Sequence, residues 1–288
     1  MKWRIIDTFD DFLLYWEKAH NKNWEERFKL WQEIYMAKYP ELLRKQIESY
    51  KELDSFWLEK AKKEIFSKLE EFLPLMKIAR RNLFILWESI YYEVLRKLNV
   101  DFPIVFVIYV GIGSGAGWAT IYKSNLACLL GLEKIAELKW HSKDKLKTLL
   151  LHEIGHLVHM KYRKEYKKFE KYEKDPLFLL YSEGFAKRFV SFISGKEKED
   201  KNWVLWCRKH KKELIREYLN RINYKKKVND FFGDWLNVKG KSFTGYFLGR
   251  EFIRWLEEKE GKDIRKIAIL PFNKVQRLVK DWLFSQLE

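Results

Sequence analysis

His152-Glu153-Ile154-Gly155-His156 puts two imidazoles and a carboxylate into five consecutive residues. On a helix the two histidines stand one turn apart and project from the same face. Imidazoles at that spacing grip one Zn²⁺, and the glutamate beside them is placed to act as a general base. The chain has only six histidines in 288 residues, and three of them, His152, His156 and His159, fall within eight positions. A helix that carries two histidines for unrelated reasons is the alternative.

A catalytic zinc site has three protein ligands and one position open to water. His159 shares the face of the motif but lies about 10 Å along the axis from His152, too far for one metal to be reached from both ends. It reads as a core residue or a support for the ligands. A longer motif ending in a third histidine would need glycine at 159 and histidine at 162. The chain has His159 and Tyr162 there, so that class is excluded. Glu183 is the better third ligand. It belongs to a helical segment that follows Asp175-Pro176, an N-cap and first-turn pair, and stops at Gly195. Leu179, Leu180, Ala186 and Val190 share its face, and a carboxylate on an apolar face needs a partner. Zinc would be that partner; a salt bridge to Lys187 or to an arginine is the alternative. Glu165, Glu170 and Glu173 compete, but they sit in the lysine-rich run 161–174, which reads as a solvated face or linker.

The elements that must hold these groups follow from periodicity. Leu146, Leu150, Ile154 and Leu157 form the apolar stripe of a helix packed on a core, with Ser142 as its N-cap. Gly155 costs that helix about 1 kcal/mol against alanine, and a small residue there suits close packing near the metal. Residues 103–110, 118–122 and 126–132 read as strands. Residues 1–98 read as nearly all helix, with Trp16, Trp24, Trp31, Trp57 and Trp87 as core anchors. The fold class expected is α+β, predominantly helical, with a small sheet beside the zinc helix. Gly111-x-Gly113-x-x-Ala116 after a strand, with Glu133 twenty residues past Gly113, mimics a dinucleotide fingerprint. Its crossover helix would start with Gly115, Gly117 and β-branched residues, which leaves two readings open: a turn at the sheet edge, where a peptide substrate can pair, and an ordinary hairpin loop.

H-E-x-x-H followed by E-G-x-A (Glu183-Gly184-Phe185-Ala186), 27 residues after His156, resembles the gluzincin metallopeptidases. More narrowly, the chain is similar to a family of predicted zinc-dependent proteases related to the M1-type aminopeptidases. Val110–Gly117, Leu129-Leu130-Gly131-Leu132-Glu133 and Thr244-Gly245-Tyr246-Phe247-Leu248-Gly249 carry that likeness, which covers about residues 100 to 270. The resemblance implies a zincin-like catalytic core and peptide hydrolysis, with Glu153 as catalytic base and His152, His156 and Glu183 as metal ligands. It also implies a tyrosine or histidine donor downstream of the glutamate ligand. Tyr246 is the candidate, with Tyr181 and His210 as lesser options. The domain division expected is a helical N-terminal region, 1–98, and a catalytic region, 99–288, with a helical C-terminal part.

Composition bounds the rest. Two cysteines, Cys128 and Cys207, rule against a disulfide framework and fit a reducing cytoplasm. Asp7, Asp10 and Asp11 interrupt any leader-like apolar run, so no signal peptide and no membrane partner are expected. The net charge of +16 favours acidic partners. Lysines and glutamates alternate rather than cluster, so nucleic acid is not expected as a partner; a peptide or protein substrate is. Two alternatives stay open: a non-catalytic, zinc-stabilised binding protein, and a basic, nucleic-acid-associated helical protein.

Overall fold

A computed structural model of the chain describes residues 2–51, 55–99, 101–196 and 199–288. It is predominantly helical with one small sheet, an α+β protein. Two compact units emerge, Met1–Glu153 and Ile154–Glu288.

The first unit is built on a four-stranded sheet. Its strands are β1 (Trp3–Asp7), β2 (Ile104–Tyr109), β3 (Gly117–Tyr122) and β4 (Asn125–Gly131), in the order β1-β2-β4-β3. β1, β2 and β4 run parallel, and β3 returns antiparallel on β4. Ile-Val-Phe-Val-Ile-Tyr of β2 is buried at every position, as a central parallel strand must be. β3 and β4 meet through Lys123 and Ser124, both at positive φ, the backbone a two-residue hairpin turn requires. The three strands expected from sequence are present. β1 is an addition: five residues within a stretch that reads as helical become a strand because β2 offers them a buried parallel edge. Helices α1 (Phe9–Ala19), α2 (Trp24–Leu30), α3 (Pro40–Lys51) and α4 (Ser55–Leu98) follow β1, and α5 (Leu132–Glu137) follows β4. α4 runs for 44 residues through Pro74. Thus residues before 98 share one unit with the sheet.

Helix α6 (Lys143–Arg163) carries the histidine motif, and the division between the units falls within it. The second unit is helical: α7 (Tyr166–Tyr172), α8 (Pro176–Ser194), α9 (Lys201–Lys209), α10 (Lys211–Asn223), α11 (Thr244–Glu260), α12 (Ile264–Ala268) and α13 (Phe272–Ser285). α8 is its axis. A Cβ on Gly249 of α11 would lie 2.5 Å from the Leu180 carbonyl oxygen and 3.0 Å from Gly184 Cα. Only glycines allow α8 and α11 to touch backbone to backbone. No described helix is long and apolar enough to cross a membrane.

Candidate metal centre

α6 begins at Lys143, directly after Ser142, whose carbonyl accepts from Leu146 N. Leu146, Leu150, Ile154 and Leu157 are all buried, which fixes the rotation of the helix. α8 is set by its ends: the Asp175 carboxylate caps the amides of Leu177 and Phe178, Pro176 opens the first turn, and Gly195 closes the helix at φ 68°. α6 and α8 approach closely at Gly155, where a Cβ would stand 3.0 Å from Ala186 Cα. This packing puts Glu183 beside His156, with Nε2 3.3 Å from the carboxylate. His152, His156 and Glu183 each offer one ligand atom, and these atoms all lie within 4.8 Å of one another. The three ligands proposed from sequence are therefore brought together.

The hydrogen bonds around His156 decide which ring nitrogen is a donor. Ser182 Oγ donates its single proton to Glu173 Oε1 at 2.7 Å. The same oxygen lies 3.2 Å from His156 Nδ1, so it accepts from Nδ1–H. Nε2 is then the unprotonated nitrogen, and it faces Glu183. A metal ion and a proton compete for that place. Two imidazoles and a carboxylate, one ring oriented by a serine and a second carboxylate, form a set that could hold a metal ion. Glu173 itself lies 3.8 Å from His156 Nδ1. Burial pushes its carboxyl up to about 7, with His156 and the Ser182 hydrogen bond pulling the other way. Sequence reasoning missed Ser182, and it set Glu173 aside as part of a solvated, lysine-rich run.

His159 is where the sequence places it, in the core. Its ring lies among Phe169, Phe178, Tyr181 and Phe185, with centroids 4.5 Å to 6.0 Å away. Burial holds it well below the usual histidine range, and Arg163 adds to this, so it stays neutral. Tyr181 is committed elsewhere, donating to the Ile267 carbonyl. His210 sits 3.4 Å from Glu213. Tyr246, on α11, has Lys187 Nζ 5.3 Å from its ring centroid and Phe232 at 5.5 Å. Lys187 is one turn past Glu183 on α8.

Within the first unit, Glu153 is buried and rests against the start of β3. A Cβ on Gly117 would lie 2.6 Å from Glu153 Cγ and from Oε1, so glycine is required for this contact. β3 is an edge strand of the sheet. The glycine run that leads into it, 110–116, is closed to phosphate. Gly111 N and Gly113 N both donate to the Glu133 carboxylate, at 2.6 Å and 3.0 Å. The amides that would cradle a pyrophosphate in a dinucleotide site are already taken by an internal carboxyl group.

Comparison of the chain with protein-family models, curated proteins and solved structures gives no match in any of the three.

Proposed function

We propose that this chain is a zinc-dependent peptidase of the gluzincin kind, with a zincin-like core. The observation that carries the reading is the meeting of His152, His156 and Glu183, with Glu153 next to the first ligand and packed on the edge strand. A structural zinc site has no use for a carboxylate in that position, which weighs against a purely zinc-stabilised binding protein.

Zinc held by His152, His156 and Glu183 supplies a Lewis acid for the scissile carbonyl and the attacking water. The work of the chain's own residues follows. A substrate peptide adds to the edge of β3 by main-chain hydrogen bonds. Glu153 takes the proton of the water and returns it to the leaving amine. Ser182 and Glu173 keep His156 in the tautomer that points Nε2 at Glu183. Tyr246 donates to the developing oxyanion. Buried free thiols at Cys128 and Cys207 suit a reducing compartment such as the cytoplasm.

The test is Glu153→Gln, which nearly preserves size and shape but cannot accept the proton. Zinc content stays at one per chain, while hydrolysis of a peptide library falls by about 10²–10⁴. In the same assay Tyr246→Phe lowers kcat more than it raises KM, because the donor acts chiefly in the transition state. Unchanged hydrolysis by zinc-loaded Glu153→Gln overturns the mechanism. A zinc-loaded wild type that cleaves no peptide favours the binding-protein alternative.

A further inference from the structure

The segment Val110–Gly113 is loop, yet its backbone is held almost group by group by buried side chains. Val110 N donates to Tyr35 Oη at 3.0 Å, and Ile112 N donates to Gln46 Oε1 at 3.2 Å. Trp31 Nε1 and Tyr50 Oη donate to the carbonyls of Val110 and Ile112, each at 2.9 Å. Glu133 takes the two remaining amides, Gly111 N and Gly113 N. The Glu133 side chain is fully buried on the first turn of a six-residue helix. Buried polar groups normally find partners, but four successive loop amides satisfied by side chains from distant parts of the chain is costly to assemble. A loop that only joined two strands would not need such a cradle.

What the cradle fixes is visible further along. Gly113 stands at φ 76°, a left-handed conformation that glycine adopts without steric cost. The next residues lie over the end of β4: Gly131 N donates to Ala116 O at 3.2 Å, and a Cβ on Gly131 would come within 2.6 Å of Gly115 O. The chain then enters β3 at Gly117, against Glu153.

Resting on the peptidase reading above, we infer that Glu133 is a positioning residue: it clamps the 111–117 loop so that Gly117 and the edge of β3 are registered against the general base Glu153. The carboxylate touches neither substrate nor metal. Its effect reaches the reaction through the backbone of the loop, from Gly113 to Gly117 and so to the Glu153 side chain. Gln46, Tyr35 and Tyr50 support the clamp, but each of them holds a single group, whereas Glu133 holds two amides at once. Misplacing a reacting group by about 1 Å costs on the order of 10²-fold in rate, so a clamp of this kind is worth keeping rigid.

The experiment uses zinc-loaded full-length protein and the variants Glu133→Gln and Gly117→Ala. Zinc content, kcat, KM and amide hydrogen exchange at Gly111 and Gly113 are measured together. Glu133→Gln keeps one acceptor oxygen but loses the other. Its zinc content should stay whole, exchange at one or both glycine amides should quicken, and kcat should fall at least about tenfold with KM changed less. Gly117→Ala acts beyond the clamp. It should lower kcat in the same way while leaving exchange at Gly111 and Gly113 slow. A folded Glu133→Gln with quickened exchange and wild-type kcat overturns the inference. If Glu133→Gln does not fold, Gly117→Ala still decides: wild-type kcat there shows that the loop does not position the base. A zinc-loaded wild type that hydrolyses nothing is a different result, since it removes the peptidase reading and this inference falls with it.

Discussion

Burial pushes the carboxyls of Glu133 and Glu173 both up to about 7, although the Glu173 side chain keeps 26% of its surface exposed, and the two are used differently. Glu133 faces backbone: the amides of Gly111 and Gly113, at 2.6 Å and 3.0 Å. Glu173 faces side chains: the Ser182 hydroxyl and, beyond it, the imidazole of His156. The first arrangement is a fixed clamp and the second a relay of rotatable groups. The difference follows from what each must hold. A base and an edge strand need a rigid register, which backbone supplies. A ligand ring needs a defined tautomer and tilt, which a hydroxyl and a carboxylate supply without fixing the main chain. The contrast assigns different readouts to the two regions. Changes around Glu173 should move zinc affinity, and changes around Glu133 should move turnover with zinc intact.

The largest effect tests that division directly. His156→Ala removes the ligand at the centre of the relay, and elemental analysis of the purified protein should show zinc falling from one per chain to a small fraction. Glu133→Gln measured beside it should keep its zinc. Stoichiometric zinc in His156→Ala, or its loss in Glu133→Gln, would collapse the distinction between the two regions. A smaller effect is expected at Glu173→Gln. The amide can present its NH₂ to Ser182, turn the hydroxyl round and favour the wrong tautomer of His156. Zinc affinity should drop by about 10–100-fold, while rates at saturating zinc stay close to wild type. Competition with a chelator of known affinity measures this. An unchanged affinity would show that Ser182 and Glu173 do not set the ring.

These two regions were unequally legible in the sequence. The His152–His156–Glu183 group could be read because its constraint is local: His152 and His156 are one turn apart, and Glu183 lies on an apolar helix face bounded by a cap and a stop residue. β2, β3 and β4 were legible for a similar reason, as β-rich runs bounded by glycine or turn residues. The cradle was not. Tyr35, Gln46 and Tyr50 meet residues 110–112 across separations of 62 to 75 positions, and nothing in a helical pattern marks a side chain that leaves its helix to bond a loop. Glu133 was conspicuous only as part of a mimic of the dinucleotide fingerprint, a reading that was set aside. In the structure it fills the glycine amides itself. Glu173 was set aside because of its neighbours, since a half-buried acid in a lysine-rich run has no periodic signature. β1 was hidden because five residues become a strand only when β2 is there to pair with them.

The smallest effect separates the two glutamates by pH. The folded Glu133 carboxyl titrates at about 7, above the 4.5 of an exposed glutamate. At pH values well below 4.5 both folded and unfolded chains carry the proton, and the contribution of this group to stability is complete. Between those two values the unfolded chain ionises first, so folding takes up a proton and stability falls as pH rises. The slope is at most about 1.4 kcal/mol per pH unit for one group, and the loss is complete above the folded value. Glu133→Gln cannot titrate there. Denaturant midpoints of metal-free wild type and variant, taken from pH 5 to pH 7, should therefore converge: the variant loses less stability than the wild type as pH rises. Taking the difference between the two proteins cancels the shared contribution of Glu173. Parallel curves, or a wild type that gains on the variant as pH rises, would mean that the amides of Gly111 and Gly113 outweigh burial and keep Glu133 ionised in the folded chain. The clamp would then be a charged one, and the two regions would differ in ionisation as well as in rigidity.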